Sequence, residues 1–348
     1  MIFLVLWAVQ TIRVYDDRGQ WSASTIGLWQ RACKCVLVNP ITVTGITADE
    51  IKAGEWKIST SLLIIPGGAD CVYHQQLSGE GNRQIRAYVE AGGKILGVCA
   101  GAYYCGKSIS FKGDKQEFPI VEQRELGFFP GIPQGPLIPY VVDTRKGAAI
   151  FDISCNDGHY PSYYNGGCYF PYDTKISCEW IGRYPMSAGE SKWAIVGMQI
   201  GKGYVIASGV HPEMCSAELS GDPDLYSTLE SKEKLIGPYA LLRVVFKKLG
   251  FICKNSVHNQ EQRQVVCQDE NNHTHVLASI PGVFTPQVAV GQKINAGDVI
   301  GIIESMKMVY SIKAPVDGIV IYIKEAGTVN AQDVFARIDL VGEPRQSA

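Results

Sequence analysis

The sequence contains little charge and no cluster of charge of one sign. Charged residues make up 19% of the 348 residues, and the formal net charge is −2. Lysine and arginine do not gather into a run, whereas nucleic-acid-binding domains carry a basic patch as their electrostatic footprint. We therefore exclude a nucleic-acid partner. The apolar content of 46% is ordinary for a globular protein with a sizeable core.

Long apolar runs are also absent. A bilayer-spanning helix takes about 20 predominantly apolar residues, and the run at residues 2–9 (IFLVLWAV) is far shorter. The sequence therefore predicts no membrane span. Residues 1–11 have two open interpretations, a signal segment or an extra N-terminal segment, because no basic residue precedes the run and no clean cleavage site follows it.

Metal-ligand spacing is missing as well. His273 and His275 lie close together, but no second ligand pair stands at metal spacing, so we predict no metal. Both histidines lie in residues 254–275, a stretch rich in Asn, Gln and Glu that is typical of a linker. We expect one strand at most in this linker, at residues 264–267.

The predicted linker divides the chain into two domains. Residues 12–253 exceed a typical domain but can still form a single one. Residues 276–341 form a smaller domain, and residues 342–348 are interpreted as a tail.

A thiol follows a short apolar strand in the larger domain. Residues 97–101 (GVCAG) come directly after the strand-like residues 94–96, and the small residues around Cys99 permit the tight strand-to-helix turn that exposes a nucleophile. The helix dipole and free N–H groups there favour the thiolate. We interpret Cys99 as a nucleophile. Cys71 and Cys105 are interpreted as core residues, since cysteine is among the most buried residue types.

A histidine and a carboxylate follow a second strand. His211 and Glu213 come soon after the apolar residues 204–206. A histidine within hydrogen-bond reach of a thiol can take its proton, and a carboxylate can orient the ring and stabilise the imidazolium. The predicted catalytic set is therefore Cys99, His211 and Glu213.

A pair of glycines follows a third strand. Gly67 and Gly68 come after the apolar residues 62–65 and Pro66. Their backbone N–H groups, with the N–H of Ala100, would form an oxyanion hole for a tetrahedral intermediate. The loss of one such donor typically costs ~3–4 kcal/mol of transition-state stabilisation.

Five segments in this order resemble the class I glutamine amidotransferase-like superfamily, and within it the N-terminal domain of eukaryotic-type biotin-protein ligases. The segments are 66–70 (PGGAD), 79–83 (GEGNR), 97–103 (GVCAGAY), 164–167 (YNGG) and 209–213 (GVHPE). The resemblance implies an α/β fold with a doubly wound, mostly parallel sheet and a site at the carboxyl ends of its strands. It also implies a substrate pocket that includes Tyr103, Asn82, Asn165 and Gly166. Residues 79–83 have a second interpretation, as the cap of a helix at residues 84–90.

The sequence departs from this family in two ways. True glutaminases of the superfamily carry a glutamine four residues after the nucleophile, where this chain has Tyr103. Glutamine is therefore not expected as the substrate. The Gly-Arg-Gly-Arg type segment that biotin ligases need to form biotinyl-adenylate is absent, so we expect that the chain is not itself a biotin ligase.

The smaller domain contains an internal repeat of about 35 residues. In the two copies Gly282, Gly291, Ile294, Ala296, Asp298 and Ile303 recur as Gly318, Gly327, Val329, Ala331, Asp333 and Ile338. Each copy is a run of short, β-branched strands separated by glycine. This pattern predicts two interlocked antiparallel halves in a small, all-β flattened barrel or sandwich.

Lys307 lies between Met306 and Met308, where the two copies meet. An apolar flank is a poor place for a bare ammonium, so we interpret Lys307 as a covalent attachment point at a hairpin tip. Residues 276–341 resemble the biotinyl/lipoyl carrier fold, and specifically biotin carboxyl carrier domains, whose lysine lies between two methionines. The resemblance implies biotin joined by an amide to Lys307. Lipoate is the second choice, because lipoyl carriers usually present Asp-Lys-Ala.

Two functions remain open. In the first, the protein is a biotin-linked amide hydrolase or acyl transferase that acts through Cys99 on a small-molecule or peptide amide. In the second, the larger domain is a non-catalytic binding module fused to a carrier subunit. The expected partners are a biotin-protein ligase and a biotin-dependent carboxylase on a separate chain, because no phosphate-binding loop is visible here.

The compartment is open between two alternatives. Biotin attachment requires ATP and a ligase, which are cytosolic, and this favours the cytoplasm. Eleven cysteines keep export open, since ten of them could pair as disulfides and leave one free catalytic thiol.

Overall fold

The protein divides into two compact units in a computed structural model. The first comprises residues 1–233 and 238–256, and the second comprises residues 234–237 and 257–348. The structure describes residues 10–20, 24–114, 116–141, 146–185, 192–254, 265–268, 273–278, 281–305, 308–330 and 333–340.

The first unit alternates strands and helices over its first half and then becomes strand-rich. Its strands are β1 Gln10–Tyr15, β2 Ile41–Ile46, β3 Thr60–Ile65, β4 Lys94–Val98, β5 Ser108–Phe111, β6 Ile120–Gln123, β7 Gln134–Gly135, β8 Ala148–Cys155, β9 Gly158–Asn165, β10 Phe170–Pro171, β11 Glu179–Arg183, β12 Lys192–Ile200 and β13 Gly203–Ser208. Its helices are α1 Thr25–Val36, α2 Ala48–Ala53, α3 Asp70–Leu77, α4 Glu80–Glu90, α5 Ala100–Tyr104, α6 Pro223–Ile236 and α7 Ala240–Lys248. Two 3-10 helices lie at Glu55–Ser59 and Ser216–Leu219.

A ten-stranded sheet forms the centre of this unit. Its strand order is β2-β1-β3-β4-β13-β12-β11-β8-β9, and β10 pairs with β12. The first five strands in this order, β2, β1, β3, β4 and β13, are parallel to one another. From β13 onwards the pairs β13–β12, β12–β11, β11–β8 and β8–β9 are antiparallel. The predicted α/β fold class is therefore confirmed, with an antiparallel half that the sequence patterns did not indicate. A small three-stranded sheet, β6-β5-β7, lies outside it.

The parallel strands are buried on both faces. On β3, Leu62 and Ile64 belong to one apolar cluster, whereas Leu63 and Ile65 belong to the other. Helices α1 and α7 supply residues to the first cluster, and α2, α3 and α4 supply residues to the second. Because helices cover both faces, these strands are continuous apolar runs in the sequence.

The second unit consists of two antiparallel sheets. Their strand orders are β14-β15-β22-β20-β17 and β19-β18-β16-β21. The strands are β14 Val265–Gln268, β15 Thr274–Leu277, β16 Gly282–Pro286, β17 Lys293–Ile294, β18 Val299–Ser305, β19 Met308–Lys313, β20 Gly318–Ile323, β21 Gly327–Val329 and β22 Val334–Leu340. Phe284 and Phe335 stack at 5.1 Å between ring centroids in the shared core. The predicted small all-β fold is confirmed.

The internal repeat is visible in matching hydrogen bonds. The Asn295 N–H donates to Asp298 Oδ2 at 2.8 Å, and the Asn330 N–H donates to Asp333 Oδ2 at 3.0 Å. The carbonyl oxygens of Asp298 and Asp333 each accept an N–H, from Ala314 and Ala278 respectively. The two aspartates therefore close the same turn in each copy.

Three details differ from the sequence-based expectations. Strand β14 lies within one residue of the strand expected in the linker, but β15 crosses the end of the predicted linker and pairs with β22 of the second unit. Helix α4 begins at Glu80, four residues before the predicted start. Cys105 is buried as expected, but Cys71, in the first turn of α3, is exposed and lines a cavity.

The ten cysteines whose side chains the structure describes are all free thiols. These residues therefore do not form the disulfides that the export alternative assumed. Among the helices of the described ranges, none is long and apolar enough to cross a membrane.

Candidate active site

Cys99 occupies a sharp turn between β4 and α5. Its backbone has φ +50° and ψ −104°, a conformation that residues other than glycine rarely adopt. The Cys99 N–H donates to the Ser208 carbonyl oxygen at 2.8 Å, and the Cys99 carbonyl oxygen accepts the N–H groups of Ala102 and Tyr103. These bonds hold the strained residue between the ends of two parallel strands and the start of α5. Backbone strain of this kind is concentrated at functional sites.

A close approach of the chain behind the turn requires a small residue. A Cβ atom at Gly101 would lie 1.9 Å from the Ile65 carbonyl oxygen, at the end of β3. The Gly101 N–H donates to the Pro66 carbonyl oxygen at 3.2 Å. The turn that carries Cys99 is therefore packed directly against the strand that leads to Gly67.

His211 and Glu213 lie just beyond the end of β13. His211 Nδ1 is 2.8 Å from Glu213 Oε1, and the His211 N–H donates to the Tyr163 carbonyl oxygen at 2.8 Å. Glu213 is 3% exposed. The ring is thus oriented by a buried carboxylate on one side and by β9 through its backbone.

The protonation of His211 is set by opposing effects. Burial lowers the pKa of the ring, but the negative charges of the Glu213 carboxylate and of ionised Cys99, and the hydrogen bonds to both, raise the pKa to about 10. The imidazolium is therefore the form present at neutral pH. It can donate a proton to a leaving group bound at Cys99.

The glycine pair after β3 lies next to both side chains. A Cβ atom at Gly67 would lie 2.8 Å from His211 Cε1 and 3.6 Å from Cys99 Cβ. A Cβ atom at Gly68 would instead lie 1.9 Å from the Gly19 carbonyl oxygen. Among the described residues, the N–H groups of Gly67, Gly68 and Ala100 make no backbone hydrogen bond in a turn, loop or helix cap.

A cavity of about 590 Å³ opens at this edge of the sheet. Its size is in the usual range for small-molecule sites. The structure brings nine of the predicted site residues together along its wall: Cys99, His211, Glu213, Gly67, Gly68, Ala100, Tyr103, Asn165 and Gly166. Two of them contact the site from β9 and α5: the Asn165 carbonyl oxygen is 3.6 Å from Cys99 Sγ, and the Tyr103 hydroxyl donates to the Gly166 carbonyl oxygen at 3.3 Å.

Asn82 is the one predicted pocket residue of this unit that does not reach the cavity. It is 2% exposed, accepts the Tyr104 hydroxyl through Oδ1 and donates to Glu125 Oε2 at 2.8 Å. It does not cap α4 either, because the N-cap residue is Gly79, whose N–H donates to Glu125. The expectation of a pocket role for Asn82 is corrected to a buried structural role, since α4 begins earlier than predicted and turns the side chain towards α5.

Sequence patterns missed an ionic group in the cavity wall. Arg124, whose side chain is 1% exposed, lies 2.7 Å from Asp70 and 3.0 Å from Glu122. Burial raises the pKa of Asp70, although the Arg124 guanidinium opposes this effect. Asp70 closes the PGGAD segment and could have been suspected, but nothing in the sequence indicates that Arg124 lies beside it.

The second unit holds the candidate attachment site. Met306 and Lys307 lie outside the described residues, as does the side chain of Met308. Strand β18 ends at Ser305 and β19 begins at Met308, and these two residues are paired across the strands. The strands that flank Lys307 in the sequence therefore form an antiparallel hairpin. Among the described residues, no group of three or more His, Cys, Asp or Glu side chains is placed to hold a metal.

Comparison with known proteins also divides the chain into two parts, with the boundary between residues 270 and 276. Residues 10–270 match the family "Biotin-protein ligase, N terminal", and residues 276–338 match the family "Biotin-requiring enzyme". An uncharacterized protein of Chlamydia muridarum is 37% identical over 222 residues, which cover 60% of this chain and 84% of that protein.

Two relatives have names that mention an activity. A biotin–protein ligase of Schizosaccharomyces pombe is 32% identical over 212 residues, 59% of this chain but only 32% of that protein. A pyruvate carboxylase of Staphylococcus aureus is 36% identical over 100 residues, 24% of this chain and 8% of that protein. The chain thus spans a small part of both. Since the first family model covers well over half of the sequence, the chain belongs to the biotin-protein ligase N-terminal family, with a domain of the biotin-requiring enzyme family following it.

Proposed function

We propose that the first unit is a cysteine-dependent amide hydrolase or acyl transferase with Cys99 as its nucleophile. The observation that carries the proposal is the 2.8 Å contact between His211 and the buried Glu213, in the same cavity wall as a thiol held at φ +50°. A strained nucleophile, a base and a group that orients the base are the minimal set for nucleophilic catalysis.

The reaction would proceed in two halves. The proton of the Cys99 thiol passes to His211, Sγ attacks the amide carbonyl carbon, the carbon–sulfur bond forms, and the carbonyl π electrons move to oxygen. The N–H groups of Gly67, Gly68 and Ala100 are the candidate donors to this oxyanion. The carbon–oxygen double bond then re-forms, the carbon–nitrogen bond breaks, and the nitrogen takes a proton from His211.

Water or another acceptor would complete the second half. The acceptor attacks the thioester carbon and loses its proton to His211. The carbon–sulfur bond breaks with its electron pair on sulfur, which restores Cys99. The fate of the acyl group, release or transfer, depends on which acceptor enters the cavity.

Acylation of the thiol tests this proposal without knowledge of the natural substrate. We expect 4-nitrophenyl acetate to acetylate Cys99 in stoichiometric amount, as located by peptide mass spectrometry, and to release nitrophenol in a burst that Cys99→Ala loses. Cys71→Ala is the matched control, because Cys71 is exposed and lines the same cavity. Acetylation of Cys71 or Cys35 instead of Cys99, or of no cysteine, would favour a binding module without catalysis.

We further propose that Lys307 carries biotin in amide linkage, with Met306 and Met308 beside it, as a biotin carboxyl carrier does. The support is the family match over residues 276–338, the pyruvate carboxylase relative, and the β18–β19 hairpin that flanks the lysine. Lipoate carriers share the carrier fold that this unit resembles, and lipoate is therefore the alternative group. When bound, biotin would carry a carboxyl group for a separate biotin-dependent carboxylase, and a biotin-protein ligase would attach it.

A further inference from the structure

Two buried oxygen atoms in the cavity wall have no hydrogen-bond donor among the residues that the structure describes. Asn165 is 6% exposed and Glu213 is 3% exposed, and among the described residues neither Asn165 Oδ1 nor Glu213 Oε2 has a partner. A buried oxygen left without a donor costs roughly 1–3 kcal/mol. Both oxygens are acceptors, so the group that would satisfy them is an N–H or O–H donor.

Asn165 is close to the nucleophile. Its main-chain carbonyl oxygen is 3.6 Å from Cys99 Sγ, and it ends β9, two residues after Tyr163, which is bonded to the backbone of His211. Its position is therefore fixed by the same backbone contacts that fix the catalytic histidine. Asn165 and Cys99 line the same cavity, so a group attached to Cys99 would lie in the cavity that Asn165 lines.

We propose that Asn165 Oδ1 accepts a hydrogen bond from the N–H of the scissile amide, so that the substrates are primary or secondary amides. This inference rests on the proposed role of Cys99 and names the substrate class of that site. An ester has no hydrogen on its leaving oxygen, and a tertiary amide has none on its nitrogen. Either would leave the buried acceptor unsatisfied and gain no stabilisation from Asn165, so only an ester that is itself activated, such as a nitrophenyl ester, is expected to acylate Cys99 readily.

The same contact must operate in the reverse direction, because amide cleavage and amide formation share one transition state. When an amine attacks acetyl-Cys99, its nitrogen forms a bond to the acetyl carbon and loses one proton to His211. A primary amine such as methylamine keeps a second N–H for Asn165. Dimethylamine keeps none.

Partitioning of acetyl-Cys99 between these amines tests the proposal. The enzyme would be acetylated with 4-nitrophenyl acetate, and N-methylacetamide and N,N-dimethylacetamide would be quantified at equal concentrations of the two amines as free base. The wild-type enzyme should give a higher ratio of N-methylacetamide to N,N-dimethylacetamide than the free thioester S-acetyl-N-acetylcysteamine gives in solution. We expect the difference to be at least tenfold. We expect Asn165→Ala to lose this excess and Asn165→Asp, which keeps an acceptor, to retain most of it.

Ser162→Ala is the control variant. Ser162 also lies on β9, is 2% exposed and has an unpartnered buried Oγ among the described residues, but it does not line the cavity, so its loss should leave the ratio unchanged. A wild-type ratio equal to that of the free thioester, or a ratio that Asn165→Ala preserves, overturns the inference while the role of Cys99 stands. Failure of 4-nitrophenyl acetate to acetylate Cys99, or an acetyl group that neither water nor amine removes, overturns the proposed function itself.

Discussion

His211 Nδ1 lies 2.8 Å from Glu213 Oε1, and only Pro212 separates the two residues in the sequence. A proline restricts the backbone of the residue before it and has no N–H of its own. The two residues are therefore close in the sequence, whereas the backbone bond of His211 to β9 and the approach of Cys99 depend on the sheet. Because Glu213 is buried, its charge acts on the His211 ring with little screening by water.

The raised pKa of His211 predicts a pH dependence of stability. Its folded-state pKa of about 10 lies above the ~6.5 of an unperturbed histidine. The imidazolium therefore stabilises the fold fully below about pH 6.5, and this contribution is lost as the pH rises towards 10. His211→Gln should lower the free energy of unfolding, and we expect this difference from the wild type to become smaller over that interval. Urea denaturation at several pH values measures the difference. A difference for His211→Gln that stays constant over this interval would contradict the account.

Gly67 and Gly68 are predicted to differ in what a methyl group disturbs. The new Cβ in Gly67→Ala would press on the His211 ring, so we expect it to slow acylation of Cys99 by about 10²-fold or more, the scale of a lost transition-state contact. The Cβ in Gly68→Ala would press on the backbone at Gly19, which should destabilise the fold. Burst kinetics measure the rate of acylation, and thermal unfolding measures the stability of the fold. The same changes in rate and stability in both variants would contradict this prediction.

Arg124 is predicted to be a stabilising residue of the cavity wall. Its removal in Arg124→Gln leaves Asp70 without its buried partner, and breaking a buried pair in this way costs about 3 kcal/mol. Arg83→Gln removes an exposed partner of Glu80, where water screens the pair, and should cost much less than Arg124→Gln. Denaturant unfolding of the two variants, followed by tryptophan fluorescence, measures the difference. A similar cost for both would show that the Arg124 group is not structurally important.

Lys307 is predicted to be the modified residue of the second unit. Coexpression with a biotin ligase should add one biotin-sized increment to the intact mass of the wild type, and Lys307→Ala should lose it. Lys293→Ala, a change on β17 of the same unit, should keep the increment. A lipoyl-sized increment, or none, would contradict biotin as the attached group.

The parallel part of the fold could be predicted from the sequence, because strands that are buried on both faces are continuous apolar runs. The apolar run from Leu62 to Ile65 could only be a strand covered by helices, and glycines and polar residues mark where such strands end. The antiparallel half, from β8 to β12, is aromatic and polar, and its residues are buried unevenly. Their pairing depends on contacts between distant segments, which no local pattern records.

The site was predictable where its residues follow strand ends. Cys99, His211 and Gly67 each stand just after a parallel strand, and parallel strands bring their carboxyl ends to one edge. Asn82 was misplaced because its local sequence fits a cap and a pocket equally well, and only the packing of α4 against Tyr104 decides between them. Arg124 comes from a segment without a strand-end signal.

The rate of alkylation at Cys99 tests the central claim most directly. The wild-type protein would be treated with iodoacetamide at neutral pH, and the modified fraction of each cysteine would be followed by peptide mass spectrometry. Burial raises the pKa of Cys33 and Cys105 to about 12, so these thiols should react slowly, and the exposed Cys35 and Cys71 set the reference rate. The account predicts that Cys99 reacts at least tenfold faster than Cys35 and Cys71 and loses this advantage in His211→Gln. A Cys99 that reacts no faster than these exposed thiols would contradict its role as a nucleophile.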